Sequence, residues 1–365
     1  MMVTFPHMGN LYIGIKALLE DLKVDFVIPP FANDNTLELG SSHASEHMCT
    51  PLKLNIGNYI QSIEKGADTI LITGSNGPCR FGYYGVMEQE ILKDMGYDVE
   101  MVILEAPNGD ITELIRRFQK VTNTKNIGKL AKELITTYRI LCKVDFLEKK
   151  MQYLEAVEAE KGTIQKIRKE FKIQSMNAKG GKAIYEVLNE FSLKLDKVER
   201  NLEKSPLKIG LVGDIYTLIE PYINQNIEEK LANLGVQVDR SLYISEWIME
   251  HVVYRPIGLT REKEIRKAAQ PYLDHMVGGH GWETIGYASY YCENGYDGII
   301  QLLPFGCMPE IVAESILPSI RKDYNVPIMT LVLDELSSDT GYQTRLEAFI
   351  DLIQRKKERR KFNGA

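Results

Sequence analysis

Five cysteines, Cys49, Cys79, Cys142, Cys292 and Cys307, are the residues of this 365-residue chain best suited to redox or metal chemistry. Their number is odd and they are widely spread, which speaks against a disulfide framework and leaves metal binding, redox work or plain burial. Cys307 stands between two prolines in Leu302-Leu303-Pro304-Phe305-Gly306-Cys307-Met308-Pro309-Glu310, where an apolar strand hands over to a helix whose first turn suits Pro309. Cys79 lies in the turn-rich Thr73-Gly74-Ser75-Asn76-Gly77-Pro78-Cys79-Arg80, after one apolar run and before an amphipathic stretch. Cys49, in Glu46-His47-Met48-Cys49-Thr50-Pro51, precedes a helix with Thr50 as the expected N-cap and Pro51 as the expected first residue.

Three cysteines thus share one kind of address, a helix entrance. In open α/β sheets ligands gather beyond the carboxyl ends of the strands. The unsatisfied amides and dipole of a helix start favour the thiolate, the form that binds metal. Three thiolates without local CxxC pairing fit an iron-sulfur cluster better than structural zinc, which closes four ligands with local pairs. On pattern alone, three small buried side chains with no cofactor remain the alternative, because free cysteine is among the most buried residue types. Cys142, among apolar neighbours in residues 138–144, reads as core filling, and Cys292, near a helix end, as structural with a reserve role as ligand.

The elements that position these residues can be read from periodicity. Residues 2–5, 24–28, 69–73 and 99–104 read as strands and 9–22, 51–65 and 83–95 as helices, an alternation that predicts a parallel sheet covered on both faces. From 110 to 204 helical spacing dominates, while Gly128, Gly162, Gly180 and Gly181 interrupt any long heptad register. Alternation resumes with strands at 207–213, 236–244, 298–303 and 326–333. The predicted fold class is α/β, with two Rossmann-like parallel-sheet domains and a helical connector or cap. The first domain spans 1–110 and carries Cys49 and Cys79, the connector spans 111–205, and the second domain spans 206–365 and carries Cys307.

A formal net charge of -6 argues against a nucleic-acid role. The basic run at 355–361 reads as the solvated, frayed end of a last helix. No run approaches the ~18 apolar residues of a membrane span, and the start Met1-Met2-Val3-Thr4-Phe5-Pro6-His7 lacks the marks of a secretory signal. A cytoplasmic protein with no membrane or nucleic-acid partner is expected.

The block Glu46-His47-Met48-Cys49-Thr50-Pro51-Leu52-Lys53-Leu54 resembles the 2-hydroxyacyl-CoA dehydratase and acyl-CoA dehydratase activase-related proteins. So do Gly213-Asp214-Ile215-Tyr216 with Pro221 and Asn224, Asp297-Gly298-Ile299-Ile300 leading to residues 304–310, and Asp334-Glu335 followed by Thr344-Arg345-Leu346-Glu347-Ala348-Phe349. The likeness runs through both α/β regions, is weakest in the helical middle, and points to the group known only as activase-related. It implies paired Rossmann-like domains holding a [4Fe-4S] cluster in the interdomain cleft through Cys49, Cys79 and Cys307, with the fourth iron open or bearing a non-cysteine ligand. In the dehydratases, an ATP-hydrolysing activator with its own cluster supplies one low-potential electron. That electron passes to an acyl-CoA thioester, and the ketyl radical so formed loses the hydroxyl. A related double-cubane subgroup uses six cysteine ligands, more than the five present here. The chain carries no GxxxxGK[ST] loop, which assigns ATP hydrolysis to a partner. A homologous subunit, in a homo- or heterodimer, and an acyl-CoA or other small molecule complete the expected partners.

Around this ligand set, Glu46 and His47 are candidates to reach the open iron, and Arg80 is a candidate to offset the cluster's negative charge. His280, in His280-Gly281-Trp282-Glu283, is a candidate proton donor. Glu46 and His280 are thus the candidate catalytic residues; a helix cap and a loop histidine with satisfied hydrogen bonds are the plainer readings. Glu335 and Arg345 read as structural contacts. The expected function is an iron-sulfur reductase or dehydratase-like component, with a non-catalytic electron-relay or scaffold subunit as the alternative and a metal-free small-ligand-binding protein as a third reading.

Overall fold

A computed structural model describes residues 1–74, 79–104, 111–122, 124–201, 203–254, 258–337 and 339–363. The chain forms two compact units. One comprises Met1–Leu147, Lys169–Asp196 and Tyr243–Arg261; the other comprises Glu148–Arg168, Lys197–Leu242 and Glu262–Ala365. The helical stretch Ile111–Thr122, Ile127–Val157, Thr163–Asn177 and Gly180–Asp196 is apportioned to both. Gly162 at φ 89° and Gly180 at φ 76° take left-handed backbone at junctions between these helices, so the stretch does not run on as one coiled coil.

In the first unit, Val3–Thr4 (β1), Thr69–Thr73 (β2) and Glu100–Leu104 (β3) form a parallel sheet in the order β1-β2-β3. The run at 24–28 joins it as a single parallel bridge between Val3 and Phe26. Val3 N–H donates to the Asp25 carbonyl (2.9 Å) and Val27 N–H to that of Val3 (2.8 Å). A full strand cannot follow, because Pro6 beyond β1 and Pro29 and Pro30 beyond the bridge supply no N–H to a longer ladder. Leu11–Asp21, Thr50–Ile63 and Phe81–Asp94 are helical as expected from their periodicity. A further helix, Asp34–His43, escapes that reading because its apolar stripe is thin. A capping box starts it: Asn33 Oδ1 accepts Thr36 N–H and Thr36 Oγ1 accepts Asn33 N–H, both at 3.2 Å.

In the second unit, Leu207–Gly213 (β4), Val236–Arg240 (β5), Gly298–Pro304 (β6) and Ile328–Leu333 (β7) form a parallel sheet in the order β5-β4-β6-β7. Every residue of β6 is buried, as its near-continuous apolar run demands of a strand covered on both faces. The run at 236–244 ends as a strand at Arg240, and Ile244 instead opens the helix Ile244–Ile248, which continues as a π-helical turn, Met249–Tyr254.

With the Phe26 bridge counted, both sheets share one strand order, in which the second strand lies beside the first and the first beside the third. The chain therefore changes direction across the sheet between β1 and β2 in one unit and between β4 and β6 in the other. The crevice beyond the carboxyl ends of those strands is the natural ligand position in such sheets. No helix among the described residues is long and apolar enough to cross a membrane.

Candidate functional site

Cys49 is itself the N-cap of Thr50–Ile63, with extended backbone at φ -68° and ψ 147°. Thr50 and Pro51, expected as N-cap and first helical residue, each sit one place further in. Thr50 is fully buried, and Pro51 loses nothing there because first-turn N–H groups have no partner within the helix. Cys79 leads into Phe81–Asp94, its carbonyl accepting Gly82 N–H at 3.2 Å. Residues 75–78 of the preceding turn lie outside the described residues.

Two contacts join the segments that carry Cys49 and Cys79. The Tyr84 hydroxyl, in the first turn of the helix that follows Cys79, meets Cys49 Sγ, and Arg80 Nη1 donates to the His47 carbonyl at 2.6 Å. Lys53, almost wholly buried, donates to the Glu46 carbonyl at 3.3 Å, so two cations fasten the backbone just before Cys49. The Glu46 and His47 side chains are exposed beside it. Glu88, one turn beyond Tyr84 and fully buried, accepts from Asn55 Nδ2 at 3.0 Å. Burial pushes its carboxyl up to about 8 against the opposing hydrogen bond of Asn55, so it is neutral at pH 7.

The second unit gathers acid–base groups beyond β4 and β6. Gly213, at φ 146°, leaves no room for a side chain, since a Cβ would stand 2.3 Å from the Leu302 carbonyl oxygen. Asp214 follows, and its Oδ2 accepts Tyr216 N–H (2.9 Å) and Thr217 N–H (3.4 Å). Its Oδ1 lies 3.4 Å from His280 Nδ1. His280 is the N-cap of Gly281–Glu293, and Cys307 is the N-cap of Met308–Tyr324 with Pro309 in its first turn. The starts of these two helices touch, because a Cβ on Gly281 would stand 2.3 Å from the Pro309 carbonyl oxygen.

Glu310, one turn into the Cys307 helix and fully buried, accepts Thr284 Oγ1–H and Gln301 Nε2–H, both at 2.9 Å. Burial pushes its carboxyl up to about 7, aided by the charge of Asp214 and opposed by the hydrogen bonds from Gln301 and Thr284 and by His280. Burial alone would lower the His280 value, but the hydrogen bond and charge of Asp214, with the charges of Glu283 and Glu310, hold it above the ordinary histidine range.

The remaining cysteines behave differently. Burial, and then the Glu293 charge, push the Cys292 thiol up to about 12, within an apolar cluster that includes Ile285, Ala288 and Tyr291. A thiol held protonated is a poor ligand, which weighs against a reserve role. Cys142, expected as core filling, is only half-buried on the helix Ile127–Val157. None of the five cysteines, all described, is in a disulfide. Cys49 and Cys79 belong to the first unit and Cys307 to the second. Among the described residues no three His, Cys, Asp or Glu side chains form a group that could hold a metal ion.

Sequence reasoning does not single out Asp214, Glu310 or Glu88 as functional. Asp214 directly after an apolar run is an N-cap signal, and Glu310 stands three residues after Cys307, the spacing of a capping box. Glu88 carries no such mark. The family model of the CoA enzyme activase uncharacterised domain matches residues 7–240. That span contains Cys49, Cys79 and Asp214 and stops before His280 and Cys307. No curated protein matches the chain. With well over half of its length matched, the chain belongs to the CoA enzyme activase uncharacterised domain family.

Proposed function

We propose that this chain is the iron-sulfur component of a system acting on an acyl-CoA or another small molecule, with Cys49, Cys79 and Cys307 supplying thiolates to a [4Fe-4S] cluster. The observation that carries this reading is that the segments holding Cys49 and Cys79 are tied together, Tyr84 reaching Cys49 and Arg80 reaching the His47 carbonyl. Cys307 has the corresponding address in the second sheet, since it follows β6 as Cys79 follows β2, each the third strand of the shared order. Soft sulfur donors at helix starts suit iron, so the donor set fits the group. Bound there, such a cluster supplies one-electron transfer and, at an iron without a protein ligand, Lewis acidity.

The chain's own residues do the positioning. Lys53 and Arg80 hold the backbone before Cys49 through main-chain carbonyls. Neutral Glu88 keeps a charge out of the space between the Cys49 and Cys79 helices. His280, held beside Asp214, is the group to give a proton to a substrate oxygen, and exposed Glu46 is a second carboxyl candidate at the Cys49 side. The electron comes from a separate ATP-hydrolysing iron-sulfur activator, in keeping with the lack of a GxxxxGK[ST] loop here. A homologous subunit, identical or not, completes the assembly in a cytoplasm that keeps the thiols reduced. Addition of cyanide to the protein prepared without oxygen is expected to change its electron paramagnetic resonance spectrum, as an exchangeable iron position requires. An unchanged spectrum would assign the chain to electron relay or scaffolding instead.

A further inference from the structure

His280 Nδ1 has two neighbours of opposite kind. Asp214 Oδ1, an acceptor, is 3.4 Å away, and the Ile215 N–H, a donor, is 3.5 Å away. Asp214 cannot swing aside freely, because its other oxygen is occupied by the Tyr216 and Thr217 N–H groups. His280 is mostly buried, and a buried ring nitrogen left without a partner after proton transfer would cost on the order of 1–3 kcal/mol.

We infer that Asp214 and Ile215 form a two-state holder for His280: Asp214 takes the Nδ1–H of the imidazolium, and the Ile215 N–H fills Nδ1 once the ring is neutral. The imidazolium loses one proton in all: where Nε2 is the donor, the Nδ1 proton then leaves to solvent as Nε2 takes one back from solvent, so the neutral ring settles as the Nε2–H tautomer with Nδ1 filled by the Ile215 N–H. The charged groups facing the ring are Asp214 after β4, Glu283 on its own helix and Glu310 on the Cys307 helix, and all three favour the charged form. Thr284 and Gln301 fix Glu310, so that carboxyl acts at a set distance. Asp214 and Glu310 are in this account positioning residues. The inference rests on the reading of His280 as the proton donor of the proposed site, and it concerns groups that lie outside the thiol set.

The test is nitrogen-15 NMR of the histidine rings in the full-length, metal-free chain, with the His280 signals identified by their loss in His280→Gln. The wild type is expected to titrate above the ordinary histidine range and to show the Nε2–H tautomer when neutral. Asp214→Asn keeps a capping oxygen and is expected to shift the His280 protonation equilibrium tenfold or more toward the neutral ring, about one pH unit, without changing the tautomer. Asp214→Glu should restore part of the shift. A neutral Nδ1–H tautomer in the wild type, or titration within the ordinary range, overturns the inference whether or not the variants fold. Equal titration in wild type and Asp214→Asn does the same. Because no iron is present, failure here leaves the cluster reading standing, and absence of iron from the protein leaves this result standing.

Discussion

Gly40→Ala is expected to destabilise the protein by about 3 kcal/mol or more, and Gly57→Ala by a similar amount. The helices Asp34–His43 and Thr50–Ile63 cross with their backbones in contact at two reciprocal points. A Cβ on Gly40 would stand 1.6 Å from the Lys53 carbonyl oxygen, and one on Gly57 would stand 1.8 Å from that of Thr36. Each obstacle is main chain, so no rotamer change relieves it and one helix must shift. Overpacking of flexible side chains costs about 1–3 kcal/mol, and a rigid clash lies at or beyond the top of that range. The displaced helix is the one that Cys49 caps and that holds Lys53, so the loss reaches the junction with Cys79. Gly128, in the first turn of Ile127–Val157, has only a side-chain oxygen at 3.4 Å. Gly128→Ala should be neutral or stabilising by up to about 1 kcal/mol, through helix propensity. Urea denaturation of the three variants checks the contrast, and equal stability for Gly40→Ala and Gly128→Ala would refute the close crossing.

The second large effect concerns pH. The Glu88 carboxyl is raised from 4.5 to about 8 by full burial, so the folded chain keeps a proton that the unfolded chain has already released. Its contribution to stability is complete below the ordinary glutamate range and is lost as pH rises through about 8, when the folded state must accept a buried charge. The shift corresponds to on the order of 5 kcal/mol. Glu88→Gln keeps an acceptor for Asn55 and cannot ionise. The variant is expected to match the wild type near pH 5 and to exceed its stability by several kcal/mol near pH 9. Glu310, raised to about 7, adds a drift of the same sign in both proteins and cancels in the comparison. Parallel pH profiles for wild type and Glu88→Gln would show that this carboxyl is not held neutral in the folded state.

Much of the fold was legible in the order of residues. The runs at 69–73, 207–213 and 298–303 stand out because central parallel strands are apolar on both faces, and all three are strands. The short bridge at Phe26 was harder to read, since prolines on both partners limit a ladder that the apolar run alone suggests. The helix Asp34–His43 was hidden for another reason: it rests on backbone contact at Gly40 rather than on an apolar stripe. The candidate site divides in the same way. The helix-entrance positions of Cys49, Cys79 and Cys307 were legible because prolines and strand ends mark such entrances locally. The pairing of Asp214 with His280 spans 66 residues, and the contact of Arg80 with His47 spans 33, separations at which local pattern carries no information. Glu88 shows the limit most clearly, because a glutamate at helical spacing looks solvent-facing until the helix that covers it is known.

The central claim is that three cysteines of this chain hold one iron-sulfur cluster. Iron and acid-labile sulfide, measured after strictly anaerobic purification, test it most directly. About four of each per chain are expected for the wild type and for Cys142→Ser, with marked loss in Cys49→Ser, Cys79→Ser and Cys307→Ser. A folded, anaerobically handled wild-type chain without iron, or one whose iron is indifferent to Cys307→Ser, would contradict the account.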